Sequence, residues 1–281
     1  MASKIMKLSG IFFGNEAIRI EYEYYGGYTM KIPKQICGCL TVLFAFQFIA
    51  AGKVFATAST HIWAPSTDVQ AYKKWHLTAD FYVPTENNAD GSRASTITNL
   101  GLTVGVLPFK KLNAEVGFDH KSGLGALDDY PMYFNFKVGI PEDAYGKFFP
   151  AIAVGIYDLG TKKGKTDNNV FYGKVAKTLV LGGLNLGRFS VGGFTGNDKL
   201  LLHDGEEDAQ GVLVAWERVM SEITDKLWVC VEYQGSESAY GALNLGFSWK
   251  FADNVSAIFG YQIYNDADLA NTYTVQVDID F

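Results

Sequence analysis

From residue 75 onward, apolar and polar residues alternate with a period of two. Trp75, Leu77, Ala79, Phe81 and Val83 are interleaved with His76, Thr78, Asp80 and Tyr82, and Leu112, Ala114, Val116 and Phe118 with Asn113, Glu115, Gly117 and Asp119. Successive side chains of a strand point to opposite faces, so each run predicts a strand with one apolar and one polar face. The pattern recurs through 100–106, 132–138, 227–233, 243–249 and 255–263. It ends in 272–281, where Tyr273, Val275, Val277, Ile279 and Phe281 oppose Thr274, Gln276, Asp278 and Asp280. Segments 151–157, 170–179, 188–195 and 211–219 alternate less cleanly and complete a set of twelve predicted strands. In 170–179, Lys177 shares the face of Phe171, Val175 and Leu179 and is therefore expected near an interface. One missed or invented strand moves the count to about ten or fourteen.

The spacing of the strands carries a second signal. The odd-numbered connections, 84–95, 120–130, 158–169, 196–210, 235–238 and 265–271, include four long polar segments. The even-numbered ones include the tight turns 108–111 and 252–254, with 141–149, 180–187 and 220–226. A barrel with both ends in the periplasm predicts this rhythm, in which long external loops alternate with shorter periplasmic turns. The short 235–238 connection is the exception. The predicted fold class is all-β, a transmembrane antiparallel up-and-down β-barrel of about 12 strands. A soluble sandwich with its apolar faces inward shares the alternation. It rarely repeats so many strands in meander order.

The N-terminal region divides differently. Residues 30–34 form a short basic stretch, 40–51 are nearly continuous apolar sequence, and Val54, Phe55 and Ala56 offer a cut after Ala56. These are the three parts of a secretory signal peptide, predicted over 30–56. Its position predicts that translation starts at Met30, with the codons of Gly26 and Gly27 acting as a ribosome-binding site and residues 1–29 as an extension from a mis-assigned start. Residues 57–74 contain Trp63-Ala64-Pro65-Ser66 and no clear strand. They are expected to form a periplasmic tail or to fold into the lumen as a plug, with the barrel over 75–281. Cys37 and Cys39 fall inside the signal, which leaves Cys230 alone in the mature chain and permits no intrachain disulfide.

Composition narrows the classes. The chain is 48% hydrophobic and 15% aromatic, too apolar for disorder. No stretch after the N-terminal region approaches the roughly 18 apolar residues of a helical span. A formal net charge of −6 argues against a general nucleic-acid binder, which carries a basic surface.

The last strand, amphipathic and ending on Phe281, resembles the C-terminal insertion signal of bacterial outer-membrane barrels. With the signal segment and the alternation over 75–281, the chain resembles Gram-negative outer-membrane β-barrel proteins of the porin-like sort. That resemblance implies residence in the outer membrane, contact with outer-membrane lipid and lipopolysaccharide, insertion by the barrel-assembly machinery, and passive diffusion of a small solute. The predicted outer face carries almost no charge. Trp75, Phe109, Tyr130, Trp249, Phe251, Tyr264 and Phe281 fall at strand ends, where an interfacial aromatic girdle belongs.

The inward face supplies the candidate functional residues. Asp80, Glu115, Asp119, Glu217, Glu232, Asp278 and Asp280 are acidic, Lys137, Lys174 and Arg188 basic, and Gln262 and Gln276 neutral. An open lumen lined in this way favours cations or neutral solutes, because rings of carboxylates repel anions. In the competing reading the charges pair across a narrow lumen and fill it. Twelve strands lie between the packed eight-stranded barrels and the aqueous barrels of sixteen or more. The expected function is a narrow porin-like channel for small cationic or neutral solutes. The alternatives are a closed structural or adhesive barrel acting through its loops, and a lipid-modifying enzyme. For the last, His76 is the one histidine in a predicted strand and Ser248 the best-placed serine, but no G-x-S-x-G nucleophile motif occurs and no catalytic residue is assigned. One mature cysteine and four scattered histidines do not make a zinc site, so no metal or cofactor is expected. Lys162, Lys163 and Lys165 suit lipopolysaccharide phosphates, and Asp204, Glu206, Glu207 and Asp208 lack calcium-loop spacing. Neither cluster is assigned a site.

Overall fold

The computed structural model describes residues 7–13, 17–23, 29–33, 59–87 and 90–281. The apolar stretch of the predicted signal and its cleavage point lie outside the described residues. Near the N-terminus, β1 (Lys7–Phe13), β2 (Ala17–Glu23) and β3 (Thr29–Pro33) form an antiparallel sheet in sequence order.

The second unit contains the barrel. Its first strands are β4 (Trp75–Pro84), β5 (Ile97–Gly105), β6 (Asn113–Ser122), β7 (Met132–Ile140), β8 (Ala151–Gly160), β9 (Asp167–Leu181) and β10 (Leu184–Thr195). A small hairpin of β11 (Leu202–His203) and β12 (Glu206–Glu207) interrupts the series. The barrel continues with β13 (Gln210–Val219), β14 (Leu227–Gln234), β15 (Ala242–Ala252), β16 (Val255–Tyr264) and β17 (Thr272–Asp280). All twelve barrel strands pair antiparallel with their neighbours in meander order. β17 closes on β4, with Val277 opposite Ala79 and Asp280 opposite His76.

Burial follows the alternation in the reverse sense to a water-soluble protein. On β9 the outward Phe171 is 56% exposed, while the inward Lys174 is 2% exposed. Phe134, Phe136, Val154, Val191, Val214, Leu245 and Phe247 are exposed, whereas Glu115, Lys137, Glu232, Gln234, Asn244, Gln262 and Gln276 are buried. Only a surrounding hydrocarbon solvent makes that arrangement favourable, since it removes the outer belt from water at about 25 cal/mol per Å². A closed barrel also satisfies every backbone group between strands, which lipid requires. Charges on the outer face keep to its ends. Lys177 reaches Glu142 at 3.0 Å and Asp143 at 2.6 Å in the periplasmic 141–150 connection. Arg218 pairs with Glu222 at 3.0 Å. Placing a cation at the bilayer midplane costs about 2–4 kcal/mol, which explains their position.

Several strands run further than their alternation predicts. The connection expected over 180–187 is a two-residue turn, because Gly182 and Gly183 both take positive φ (+58° and +87°), the conformation that matches strand twist in tight hairpins. The 158–169 connection shrinks to 161–166 and the 235–238 connection grows to 235–241. The 196–209 loop, which carries β11 and β12, folds over the lumen. Leu201 and Ala209 are buried there against Val170, Tyr172, Phe194, Leu213 and Tyr240. Asp208 fastens it to the next loop, accepting hydrogen bonds from the Ser236 hydroxyl at 3.0 Å and from the backbone N–H groups of Glu237 and Ser238.

Candidate functional site

The chain ahead of β4 lies against the inward residues of the barrel. It begins at the periplasmic end, where Lys73 N–H donates to Gly105 O at 2.8 Å and Gly105 N–H to Lys74 O at 3.0 Å. Glycine is required at 105, because a Cβ there would stand 2.0 Å from Ala71 O. The segment then climbs to a tight turn in which His61 N–H donates to Ala64 O at 2.9 Å and Ser66 N–H to Ser59 O at 3.1 Å. At its tip, Ile62 packs against Cys230 and Ile258. Cβ atoms built at Gly246 and Gly260 would lie 2.8 and 3.2 Å from Ile62, so both glycines make room for it.

Inward side chains from opposite walls hold this plug. Glu115 accepts from Gln70 N–H at 2.6 Å and pairs with Lys137 at 3.1 Å. Lys137 Nζ donates to Ser59 O and Asp68 O at 2.6 and 2.7 Å. Arg188 donates from one nitrogen to both Asp68 oxygens at 2.8 Å and from another to Thr67 Oγ1 at 2.6 Å. Lys174 Nζ donates to Pro65 O at 3.0 Å, and Gln276 Nε2 to Ile62 O at 2.6 Å. Glu232 accepts from Trp63 N–H at 2.6 Å, Ala64 N–H at 3.1 Å and Asn244 Nδ2 at 2.9 Å. His61 stands 3.3 Å from Glu217 and 3.6 Å from Glu232. Seven of the twelve predicted lumen residues therefore converge on the plug.

Four others form a separate wall. Asn99 Nδ2 bridges Asp80 Oδ2 at 3.0 Å and Asp119 Oδ1 at 3.1 Å, and Asn135 Nδ2 donates to Asp119 Oδ2 at 2.9 Å. Thr78 donates to Asp80 at 2.5 Å. Nearer the periplasm His76 sits between Asp280 at 2.9 Å and Asp278 at 3.3 Å. Both ring nitrogens thus face carboxylates, not Ser248. The twelfth predicted residue, Gln262, lies toward the external end and accepts from the Thr272 hydroxyl at 2.8 Å. On the terminal strand Tyr273 is 61% exposed on the outer face, Val275 and Val277 are half-buried, Ile279 is buried and Phe281 is half-buried.

Between this wall and the plug lies a cavity of about 580 Å³. Its lining runs from Leu127, Lys165 and Leu201 at the external loops to His76, Glu115 and Lys137 in the periplasmic half. Several of its residues fall outside the candidates predicted from sequence. Tyr133 and Asn135 lie on the predicted polar face of β7, so strand parity alone could have found them. Asn99, Lys121 and Asp158 lie beyond the predicted strand ends, where both faces are polar and alternation fades. Lys121 Nζ donates to Asp158 at 2.6 Å, and Tyr240 donates to the same carboxylate at 2.5 Å. Burial and the neighbouring Asp158 raise the Tyr240 phenol well above its ordinary pKa. In the periplasmic connection, burial pushes Glu142 upward, but the N–H and hydroxyl of Thr178 and the Lys177 ammonium outweigh it and hold the carboxyl below its usual range.

A closed twelve-stranded barrel with a polar, occupied interior and an apolar lipid-facing belt is an outer-membrane β-barrel. No protein-family model and no curated protein matches the chain. Solved structures similar to it include an outer-membrane channel from Pseudomonas putida F1, at 10% identity over 76% of this chain and 97% of that one, with a TM-score of 0.44. Outer membrane phospholipase A from Escherichia coli is similar at 12% identity over 75% and 92% of the two chains, TM-score 0.39. OprB from Pseudomonas putida is similar at 9% identity over 74% and 92%, TM-score 0.33.

Proposed function

We propose that the protein is a narrow outer-membrane channel through which small cationic and neutral solutes diffuse along the β4–β7 wall, beside the N-terminal plug. The observation that carries this reading is the extent of the cavity, whose lining reaches from the external loops past the plug tip to His76 and Lys137. Charge supports the cation preference. The basic side chains Lys137, Lys174 and Arg188 are engaged by plug carbonyls and carboxylates, while Asp80 and Asp119 face the cavity with only neutral donors. Carboxylates placed along a low-dielectric path raise the local concentration of cations and exclude anions.

Reconstitution into planar bilayers tests the reading. A small conductance, with a reversal potential displaced toward the cation's in a salt gradient, is the expected result. Conductance at background in correctly folded protein would favour the closed barrel acting through its loops.

A further inference from the structure

The acidic wall is unlike the rest of the lumen in one respect. Six inward carboxylates have a basic side chain within salt-bridge distance: Glu115 faces Lys137, Asp158 faces Lys121, Glu217 and Glu232 face His61, and Asp278 and Asp280 face His76. Among the described residues, Asp80 and Asp119 have none. Their oxygens receive hydrogen bonds from Thr78, Asn99 and Asn135, all neutral donors, while Lys121, two residues from Asp119 on the same face, donates to Asp158 and acts on Asp119 only from beyond salt-bridge distance.

Across the same cavity stands an aromatic arc. Trp63, at the plug tip, meets Tyr82 edge-on with ring centroids 5.2 Å apart and Tyr240 at 6.5 Å, and Tyr157 continues the arc 6.1 Å from Tyr240. All four rings line the cavity. Tyr82 is two residues from Asp80 on the same inward face of β4, so an aromatic ring and a carboxylate without a basic partner are immediate neighbours. Aromatic faces attract cations within about 6 Å of the ring centroid, and more strongly where water is excluded. A neutral sugar would also stack on these rings, but it would bring no positive charge to Asp80 and Asp119. A cation with an apolar body compensates them and covers the rings together.

We infer that this cavity is a saturable binding site for small organic cations with an aromatic or branched aliphatic body, such as a substituted ammonium ion. Asp80 and Asp119 would receive the charge, and Trp63, Tyr82, Tyr157 and Tyr240 the body. The inference rests on reading this cavity as the place where solute enters the barrel, and it gives the channel a preferred substrate class. A volume of about 580 Å³ is within the range of small-molecule pockets.

Titration calorimetry of the detergent-solubilised full chain with benzyltrimethylammonium, benzyl alcohol and benzenesulfonate tests it, alongside bilayer conductance. The cation is expected to bind saturably, and the neutral and anionic probes about tenfold more weakly or worse. The Asp80→Asn/Asp119→Asn double variant should lose about tenfold in cation affinity, and Trp63→Leu about threefold. Asp119→Asn alone serves if the double variant loses the heat-modifiable migration of a folded barrel. Equal binding of the three probes, no saturable binding, or cation binding unchanged in folded Asp→Asn protein would overturn the inference. Conduction without saturable binding overturns the binding site and leaves the channel reading intact. Binding without conduction supports the site and removes the channel.

Discussion

The two sides of the lumen arise from the same strand alternation and end in different states. On the side of β9 to β14, inward Lys174, Arg188, Glu217 and Glu232 are neutralised by one another and by the plug, and the 196–209 loop adds an apolar cap of Leu201 and Ala209. That side is packed like the core of a soluble protein, with polar groups in place of some apolar ones. On the side of β4 to β7, the plug is fastened in the periplasmic half through Gly105, Glu115 and Lys137, and beyond those contacts it leaves a cavity bordered by Asp80, Asn99, Asp119 and Asn135. Contacts with the plug and the loop close one side, and on the other Asp80 and Asp119 meet only neutral hydrogen-bond donors. The difference depends on where sixteen residues ahead of the barrel lie, from Ser59 to Lys74.

The largest expected effect comes from removing the hub of the filled side. Glu232→Leu leaves the N–H groups of Trp63 and Ala64 without their acceptor and His61 without one of its two carboxylates. Breaking such a buried network costs about 3–5 kcal/mol. Release of the plug should follow, read as a severalfold rise in conductance and as new protease cleavage within 59–74. Next in size is Gly105→Ala. The added methyl would meet the Ala71 carbonyl at 2.0 Å, so the plug or β5 must shift at a cost of about 1–3 kcal/mol. The expected signature is earlier loss of plug protection on heating, with the barrel's own unfolding unchanged.

Sequence foresaw these two sides unevenly. The strands were legible because alternation such as Leu243-Asn244-Leu245-Gly246-Phe247 has one physical cause, the separation of lipid from lumen. Parity likewise placed Asp80, Glu115, Asp119, Lys137 and Glu232 on one face. It could not say which carboxylate would meet a cation, since Glu232 and His61 are 171 residues apart in sequence and approach only through the plug. Pattern leaves 57–74 open between a periplasmic tail and a plug, because a turn braced by side chains of many strands needs no periodicity of its own. Gly182-Gly183 hides for a different reason: glycine-rich sequence reads as loop, although here it is the two-residue turn of the β9–β10 hairpin.

Two smaller effects sharpen the contrast from the other side. In Asp80→Asn/Asp119→Asn, cation-over-anion selectivity measured by reversal potential should fall severalfold, with little change in stability, because no ion pair is lost. A large loss of stability would instead mean that these carboxylates are structural. The smallest effect is on pH. Glu142 is held below its ordinary value of 4.5, so the stabilisation it gives the Lys177 and Thr178 end of β9 is complete at neutral pH and is lost as pH falls below 4.5 and through the lowered value. The protection factor of the Thr178 amide, the exchange rate of an unstructured peptide at the same pH divided by its own, should fall in that acid range in the native protein, and Glu142→Gln should flatten the dependence.

Thiol accessibility compares the two sides most directly. Cys230 is buried on the filled side against the plug tip, and Asn135 borders the cavity. Folded protein carrying Asn135→Cys is treated with a cationic methanethiosulfonate reagent, and modification at each position is followed by mass spectrometry. Rapid modification at position 135 with Cys230 untouched is the predicted result. Equal rates at the two positions, or faster reaction at Cys230, would contradict a lumen filled on one side and open on the other.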